Sequence, residues 1–275
     1  MRFVPTLGLA LSGLLCAHAA LACDTVLAAT DSVIDVPGKY CLNANRDHAV
    51  VIRSSNVELD CKTRTISRTD SYDGHIGIEV EEASNVVVRN CRIDGYPVGI
   101  QMQVQLDGQL INNTVINAGR PITVNGNRDP QNLGTRLTGN RIVGYLQNDH
   151  DMPAWTPAIE VANLPKVQLI NNVVVGYRGT RGALLENSPE AQLTGNQFLD
   201  FLAEGDDVIY LRDSPRGRLV HNTVAMDYVR ARAAIGSNTA DHTCVENIVI
   251  NAMGGGFEAC SVARYNVVQP WLERP

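Results

Sequence analysis

A short apolar segment centred on asparagine recurs down this chain, and no other feature restricts its folding more. It reads Val87-Val88-Arg89-Asn90-Cys91-Arg92-Ile93, then Leu110-Ile111-Asn112-Asn113-Thr114-Val115-Ile116, Leu137-Thr138-Gly139-Asn140-Arg141-Ile142-Val143 and Leu169-Ile170-Asn171-Asn172-Val173-Val174-Val175. It returns around Asn196, Asn222, Asn247 and Asn266, and an earlier unit, Val57-Glu58-Leu59-Asp60-Cys61, has Asp in place of the Asn. From residue 60 to residue 266 the spacings are 30, 23, 27, 32, 24, 26, 25 and 19. A period in the twenties, with three short β-branched runs per unit and no helical periodicity, is that of one coil of a parallel β-helix. One strand precedes the Asn, one follows it, and a third comes later, as in Gly77-Ile78-Glu79-Val80, Gly99-Ile100-Gln101-Met102, Ala158-Ile159-Glu160-Val161 and Val208-Ile209-Tyr210-Leu211. A leucine-rich solenoid is excluded, because the leucines are too few and no unit has a helical half.

The Asn has a physical reason to recur. Its short amide fits a tight turn between two strands and can bond both the local backbone and the Asn one coil away, about 4.8 Å along the stack. On these repeats the chain resembles the right-handed parallel β-helix proteins of the pectin-lyase-like superfamily, over residues 42 to 268. The resemblance implies an all-β, single-domain right-handed solenoid of about nine coils with an asparagine ladder. Residues 23–41 are expected to cap the first coil and Trp271 the last, since an open end exposes core and strand edges. The superfamily holds lyases, glycoside hydrolases, esterases, epimerases and adhesins, so the fold does not choose an activity.

Residues 1–22 have the three parts of an export signal: Met1-Arg2, an apolar run through Leu7–Leu15, and the small-x-small site Ala20-Leu21-Ala22. The apolar run is too short for a membrane span of about 20 residues, so the mature chain is expected to begin at Cys23 and to be secreted or periplasmic. Cys23 would also suit lipidation, but Ala stands where that signal favours Leu. Six cysteines remain, Cys23, Cys41, Cys61, Cys91, Cys244 and Cys260. An even number in an exported chain predicts disulfides, with fifteen pairings open. Cys61 and Cys91 each follow the ladder residue, which places them about 5 Å apart in neighbouring coils; Cys23 with Cys41 would fasten the cap, and Cys244 with Cys260 the last coil.

Losing Arg2 with the signal leaves 22 basic against 29 acidic residues, a net charge of −7. That sign repels polyphosphate and argues against nucleic acid as a partner. An acidic polysaccharide would need a local Arg patch or a bridging cation.

The extra residues of the long coils point to the site, because loops carry function. Leu146–Trp155 holds Asp149, His150 and Asp151 beside Trp155. The two carboxylates could ligate calcium or act as acid and base, and the indole could stack on a sugar ring; a polar turn with a packed Trp is the competing reading. Further on, Glu204-Gly205-Asp206-Asp207 is similar to the Gly-Asp-Asp segment of polygalacturonase-type glycoside hydrolases, whose paired carboxylates activate water and protonate the leaving oxygen. The partner motifs of that family do not follow: the neighbouring coils offer Arg178 and Arg181 before it and Arg230 and Arg232 after it. The result is a mixed-charge patch from four successive coils at the entrance to the third strand. It would be pure structure if the charges only pair from coil to coil. As chemistry it suits a lyase, in which Arg or His removes the proton alpha to a uronate carboxylate that Arg or calcium neutralises. A second row of polar groups, Glu79, Glu81, Gln101, Gln103, Asn125 and Glu160, with Tyr210 further on, lies on outward positions of the third strand. It could read sugar hydroxyls or merely be a solvated sheet face.

Two function classes follow. The first is an exported polysaccharide lyase or glycoside hydrolase acting as a monomer, with catalysis assigned to Asp206, Asp207, Arg181, Arg232 and His150, substrate contacts to Trp155, Arg178, Arg230, Glu160 and Tyr210, and calcium to Asp149 and Asp151. The second is a non-catalytic polysaccharide-binding or structural β-helix protein of the periplasm or cell surface.

Overall fold

The structure, a computed structural model, describes residues 23–68, 75–127, 129, 131–132, 134–144, 156–201, 207–226, 233–239, 241–252, 256–257 and 259–270. Within them the chain is a parallel β-solenoid with three sheets and no helix. Sheet A, before the asparagine turn, has eleven strands; sheet C, after it, and sheet B, the third side, have nine each. One coil shows the path: Gln109–Ile111 in A, a two-residue turn, Thr114–Ile116 in C, then Arg120–Gly126 in B. The next coil repeats it in register, with Leu110 opposite Leu137, Val115 opposite Ile142 and Ile122 opposite Ile159.

The short strands of sheets A and C between the two ends alternate an inward apolar residue with outward ones, as in Gln109–Ile111 and Thr114–Ile116, which is why runs of three residues suffice. Like stacks on like inside. Val88, Leu110, Leu137, Leu169, Leu193 and Leu219 line A, and Ile78, Ile100, Ile122 and Ile159 line B, all fully buried. Burying each such side chain contributes about 1.5–3 kcal/mol, and the 5% aromatic content is therefore no obstacle to a continuous core.

The turn between A and C makes two different demands. Its first residue is left-handed, at φ +53° for Asn90, Asn112 and Asn171 and +67° for Gly139 and Gly195, a region open to Gly and tolerated by Asn. Its second residue carries the ladder. Asn113 donates to Asn140 Oδ1 from both its backbone N and Nδ2, each at 3.0 Å, and Nδ2 also donates to the Val88 carbonyl at 2.9 Å. Asn140, Asn172, Asn196, Asn222 and Asn247 repeat the pattern toward Asn266.

The early end of the ladder differs from the sequence expectation by one residue. Asn90 stands in the left-handed position beside Asn112, and its Nδ2 donates to Asp60 Oδ1 at 3.0 Å. Cys91 stands in the ladder column, its N–H bonded to Asn113 Oδ1 at 3.0 Å. Cys91 and Cys61 therefore do not follow the ladder; Cys91 begins it, fastened covalently to Cys61 with 4.7 Å between their Cα atoms. Cys23–Cys41 and Cys244–Cys260 are the other two bridges.

The stretch 23–41 supplies the strands Thr25–Val26, Val33–Ile34 and Gly38–Cys41, the first two at the edges of sheets A and B. Beside it Arg46, 4% exposed, donates to the carbonyls of Asp31 at 2.6 Å and His48 at 2.8 Å. At the other end Val262, Tyr265, Val267 and Val268 are exposed, and Trp271, expected to cover them, lies outside the described residues. The export signal does so as well. Among the described residues no helix is long and apolar enough to cross a membrane.

Candidate functional site

The long insertions share one place in the topology. They join sheet C to sheet B: Ser67 to Ile76, Val143 to Ile159, Phe201 to Ile209 and Met226 to Ile235. Asp149, His150, Asp151 and Trp155 belong to the second of these, Asp206 and Asp207 to the third, Arg230 and Arg232 to the fourth, and Arg178 and Arg181 to the shorter link from Val175 to Ala183. Four successive links between the same two sheets enter sheet B along the same edge. Of the ten residues, Arg178, Arg181 and Asp207 are described; Asp149, His150, Asp151, Trp155, Asp206, Arg230 and Arg232 lie outside the described residues.

Beside that edge, the outward face of sheet B carries one residue per coil in strict register: Glu79, Gln101, Thr123, Glu160, Leu184, Tyr210 and Gly236. An outward side chain on a solvated sheet keeps contact with water. Thr123 is 4% exposed and Leu184 6%. Through the same coils, from Gln109 to Ala225, the outward residues of sheets A and C are all partly or fully exposed. Sheet B thus has outward side chains covered, at Thr123 and Leu184, where A and C have none, and its outward row is the floor of the candidate site.

At the later end of this floor the Arg181 guanidinium lies over the Tyr210 ring, 4.9 Å from its centre, a cation–π arrangement that holds a flexible cation in place. Asp207, 7% exposed, turns its carboxylate onto the next coil at Gly236, where any Cβ would collide with it. The glycine is therefore required by the close approach of the carboxylate. Arg178 is exposed.

At the earlier end the floor is polar. Gln101 Nε2 donates to Glu79 Oε1 at 3.5 Å, and Arg120 Nε stands 4.0 Å from Glu160 Oε2. Burial, with the neighbouring charge of Glu81 second, raises the Glu79 carboxyl above the usual range; Glu81 itself pairs with Arg53 at 2.8 Å. The edge between the two ends is sealed by Tyr177, whose hydroxyl donates to the Gly119 carbonyl at 2.7 Å and is pushed up to about 12 by burial.

The second row read from the sequence divides in two. Glu79, Gln101 and Glu160 share the floor row, whereas Gln103 and Asn125 face each other in the next outward row. Thr123 and Leu184 were not among the sequence candidates. The alternation that places Gln101 in Ile100-Gln101-Met102 also places Thr123 in Ile122-Thr123-Val124, and it was the available signal. Among the described residues no group of three or more His, Cys, Asp or Glu side chains could hold a metal ion, and the calcium expectation stays with Asp149 and Asp151, outside them.

The family model described as right-handed beta helix region matches residues 25–198. No curated protein matches the chain. Among solved structures, a DFA-IIIase from Arthrobacter chlorophenolicus in complex with DFA-III aligns with a TM-score of 0.44 and 12% identity, covering 85% of this chain. This chain spans 62% of that enzyme's length. An alginate lyase from a Paenibacillus species gives a TM-score of 0.43 and 13% identity over 89% of this chain and 98% of its own. A tailspike protein of an E. coli bacteriophage, in complex with a hexasaccharide, gives 0.44 and 12% over 84% of this chain and 48% of its own. With the family model covering well over half of its residues, the chain belongs to the right-handed β-helix family.

Proposed function

We propose that this chain is an exported protein that binds an acidic polysaccharide along the outer face of sheet B and cleaves it, as a lyase or a glycoside hydrolase. The observation that carries the reading is the Arg181 guanidinium held over Tyr210 on the outer face of sheet B, where four successive links from sheet C enter. A row of polar and aromatic side chains in register from coil to coil, with Glu79, Gln101, Glu160 and Tyr210 in it, suits an extended ligand. The three disulfides suit export.

In the lyase form, Arg181 with Arg178, Arg230 and Arg232 neutralises a uronate carboxylate, and His150 or an Arg removes the proton alpha to it. In the hydrolase form, Asp206 and Asp207 divide the work of activating water and protonating the leaving oxygen. Trp155 offers a stacking surface and Asp149 with Asp151 a calcium site. The alternative, a binding or structural β-helix, is favoured by the coil-to-coil ion pairs elsewhere on the solenoid. Glu190 bridges Lys166 at 3.8 Å and Arg216 at 2.8 Å, and Glu186 meets Arg212 at 3.3 Å, charge rows with a structural use alone.

Incubating the mature chain with acidic and neutral polysaccharides, while following ultraviolet absorbance for unsaturated uronates and assaying reducing ends, tests the proposal. Absorbance with new ends marks a lyase, and ends alone a hydrolase. Binding without either product leaves the non-catalytic alternative, and no interaction with any polymer overturns both.

A further inference from the structure

Sheet A carries an accessible polar row on its outer face. From Gln109 it runs in register through Arg136, Gln168, Gln192 and Arg218 to Thr243. Arg136, Gln192 and Arg218 are exposed, and Gln109, Gln168 and Thr243 are partly so. The outward row beside it, from Ile111 to Val245, holds only Ile, Thr and Val. No outward residue of these strands is Asp or Glu, in a chain with 29 acidic residues against 23 basic ones.

Stability from coil to coil does not account for that composition. Where Arg stands one rung from Glu on this solenoid the two pair, as Arg212 does with Glu186 at 3.3 Å and Arg53 with Glu81 at 2.8 Å. Glu has the length of Gln, and in place of Gln168 or Gln192 it would meet Arg136 or Arg218 in the same way. Instead the row has an amide at each of these rungs. Among the described residues neither guanidinium has an ion pair, a side-chain hydrogen bond or a ring contact, so both present their charge and their donors to solvent.

Spacing then narrows what the row can hold. Arg136 and Arg218 stand three rungs apart, about 14 Å at the strand spacing, with amides between them. Two cations at that distance are too sparse for nucleic acid, which carries a negative charge about every 1.7 Å of duplex, and an anionic membrane calls for a denser basic cluster. A guanidinium takes a carboxylate through two parallel bonds, and a Gln amide both donates to hydroxyls and accepts from them. The low β-branched row alongside leaves a flat strip for ring faces. An extended polymer with carboxylates spaced among many hydroxyls matches all three features.

We propose that the outer face of sheet A, along the row from Gln109 to Arg218, is a second binding surface for an acidic polysaccharide, separate from the site on sheet B. It shares the ligand class with the proposed function but none of its residues, so either can fail alone. The face has no outward Asp, Glu or His to move a proton, and it therefore holds the polymer without cleaving it.

The test titrates oligogalacturonate and oligomannuronate calorimetrically into the mature chain, the double variants Arg136→Gln/Arg218→Gln and Arg136→Lys/Arg218→Lys, and Arg181→Ala, with inorganic polyphosphate as the competing anion and melting followed without ligand. The expected result is two uronate sites per wild-type chain. Arg136→Gln/Arg218→Gln weakens one of them at least tenfold while melting at the wild-type temperature, Arg136→Lys/Arg218→Lys weakens it less, and Arg181→Ala affects the other. Two unchanged sites in Arg136→Gln/Arg218→Gln, a single wild-type site that Arg181→Ala removes, a marked fall in the melting temperature of both double variants, or polyphosphate bound in preference to the uronates would overturn the sheet A surface. A single site lost in Arg136→Gln/Arg218→Gln and kept in Arg181→Ala would overturn the sheet B reading and leave this surface standing. Binding of neither uronate would overturn both.

Discussion

Arg181 and Tyr210 come from neighbouring coils and meet with the guanidinium over the ring, 4.9 Å from its centre. The register explains the meeting: Tyr210 stands one rung beyond Leu184, and Arg181 lies in the link that leads into the strand Ala183–Glu186. An aromatic platform at this rung holds the guanidinium at the edge of sheet B.

Tyr210→Ala therefore removes the platform and is expected to weaken binding of an acidic polysaccharide about two- to fivefold, the range of a cation–π contact worth about 0.5–1 kcal/mol. Tyr210→Phe keeps the ring and is expected to bind like the wild type. Side-by-side titrations of the two variants check this, and equal losses in both would point to the hydroxyl instead.

Asn172→Ala is expected to destabilise the chain by about 1–3 kcal/mol. Its Oδ1 accepts from both the backbone N and Nδ2 of Asn140, and its Nδ2 donates to the Leu137 carbonyl and to Asn196 Oδ1, so truncation strands buried groups on both sides. Denaturant unfolding followed by circular dichroism measures the loss, and a curve matching the wild type would count against the ladder as a source of stability.

His242 predicts a pH dependence. It is fully buried, its Nδ1 accepts from the Gly217 N–H at 3.0 Å, and its Nε2 lies 2.8 Å from Ser237 Oγ and 3.0 Å from Thr239 Oγ1. The Gly217 donor places the proton on Nε2, and a second proton on Nδ1 would break that bond. Burial lowers its pKa, against a smaller opposite effect of Asp241. Below about pH 6.5 the unfolded chain takes up a proton that the folded chain refuses. Stability from this group is thus complete above that pH and falls, by at most about 1.4 kcal/mol per unit, as pH drops toward the lowered folded value. Unfolding of the wild type and His242→Gln at pH 8 and pH 5 checks the sign: the wild type should lose more stability on acidification than the variant.

Much of the fold was legible because a coil imposes its demands locally. The alternation in Ile100-Gln101-Met102 and the Asn of each turn are determined within a few residues, and stacking repeats them. The one-residue slip at Asn90 has an equally local origin, since both turn positions accept Asn, as Asn112-Asn113 and Asn171-Asn172 show, and only the bond from Cys91 to Asn113 tells which column is which. The cysteine pairings survived the slip because Cys61 and Cys91 are displaced together. Site residues were harder. Asp207 and Arg181 drew notice by charge, whereas Thr123 and Leu184 matter by a burial that depends on what lies above the sheet, which periodicity does not encode.

We propose that the polymer lies on the outer face of sheet B, at its Arg181–Asp207 end. It is tested most directly by titrating a recognised acidic polysaccharide into the wild type, Arg181→Ala, Asp207→Ala and Arg53→Ala. Binding or turnover is expected to fall tenfold or more in the first two variants, about 1.4 kcal/mol, and to stay at the wild-type level in Arg53→Ala, whose side chain pairs with Glu81 at the far end of the sheet. Full binding and activity in both Arg181→Ala and Asp207→Ala would contradict the account.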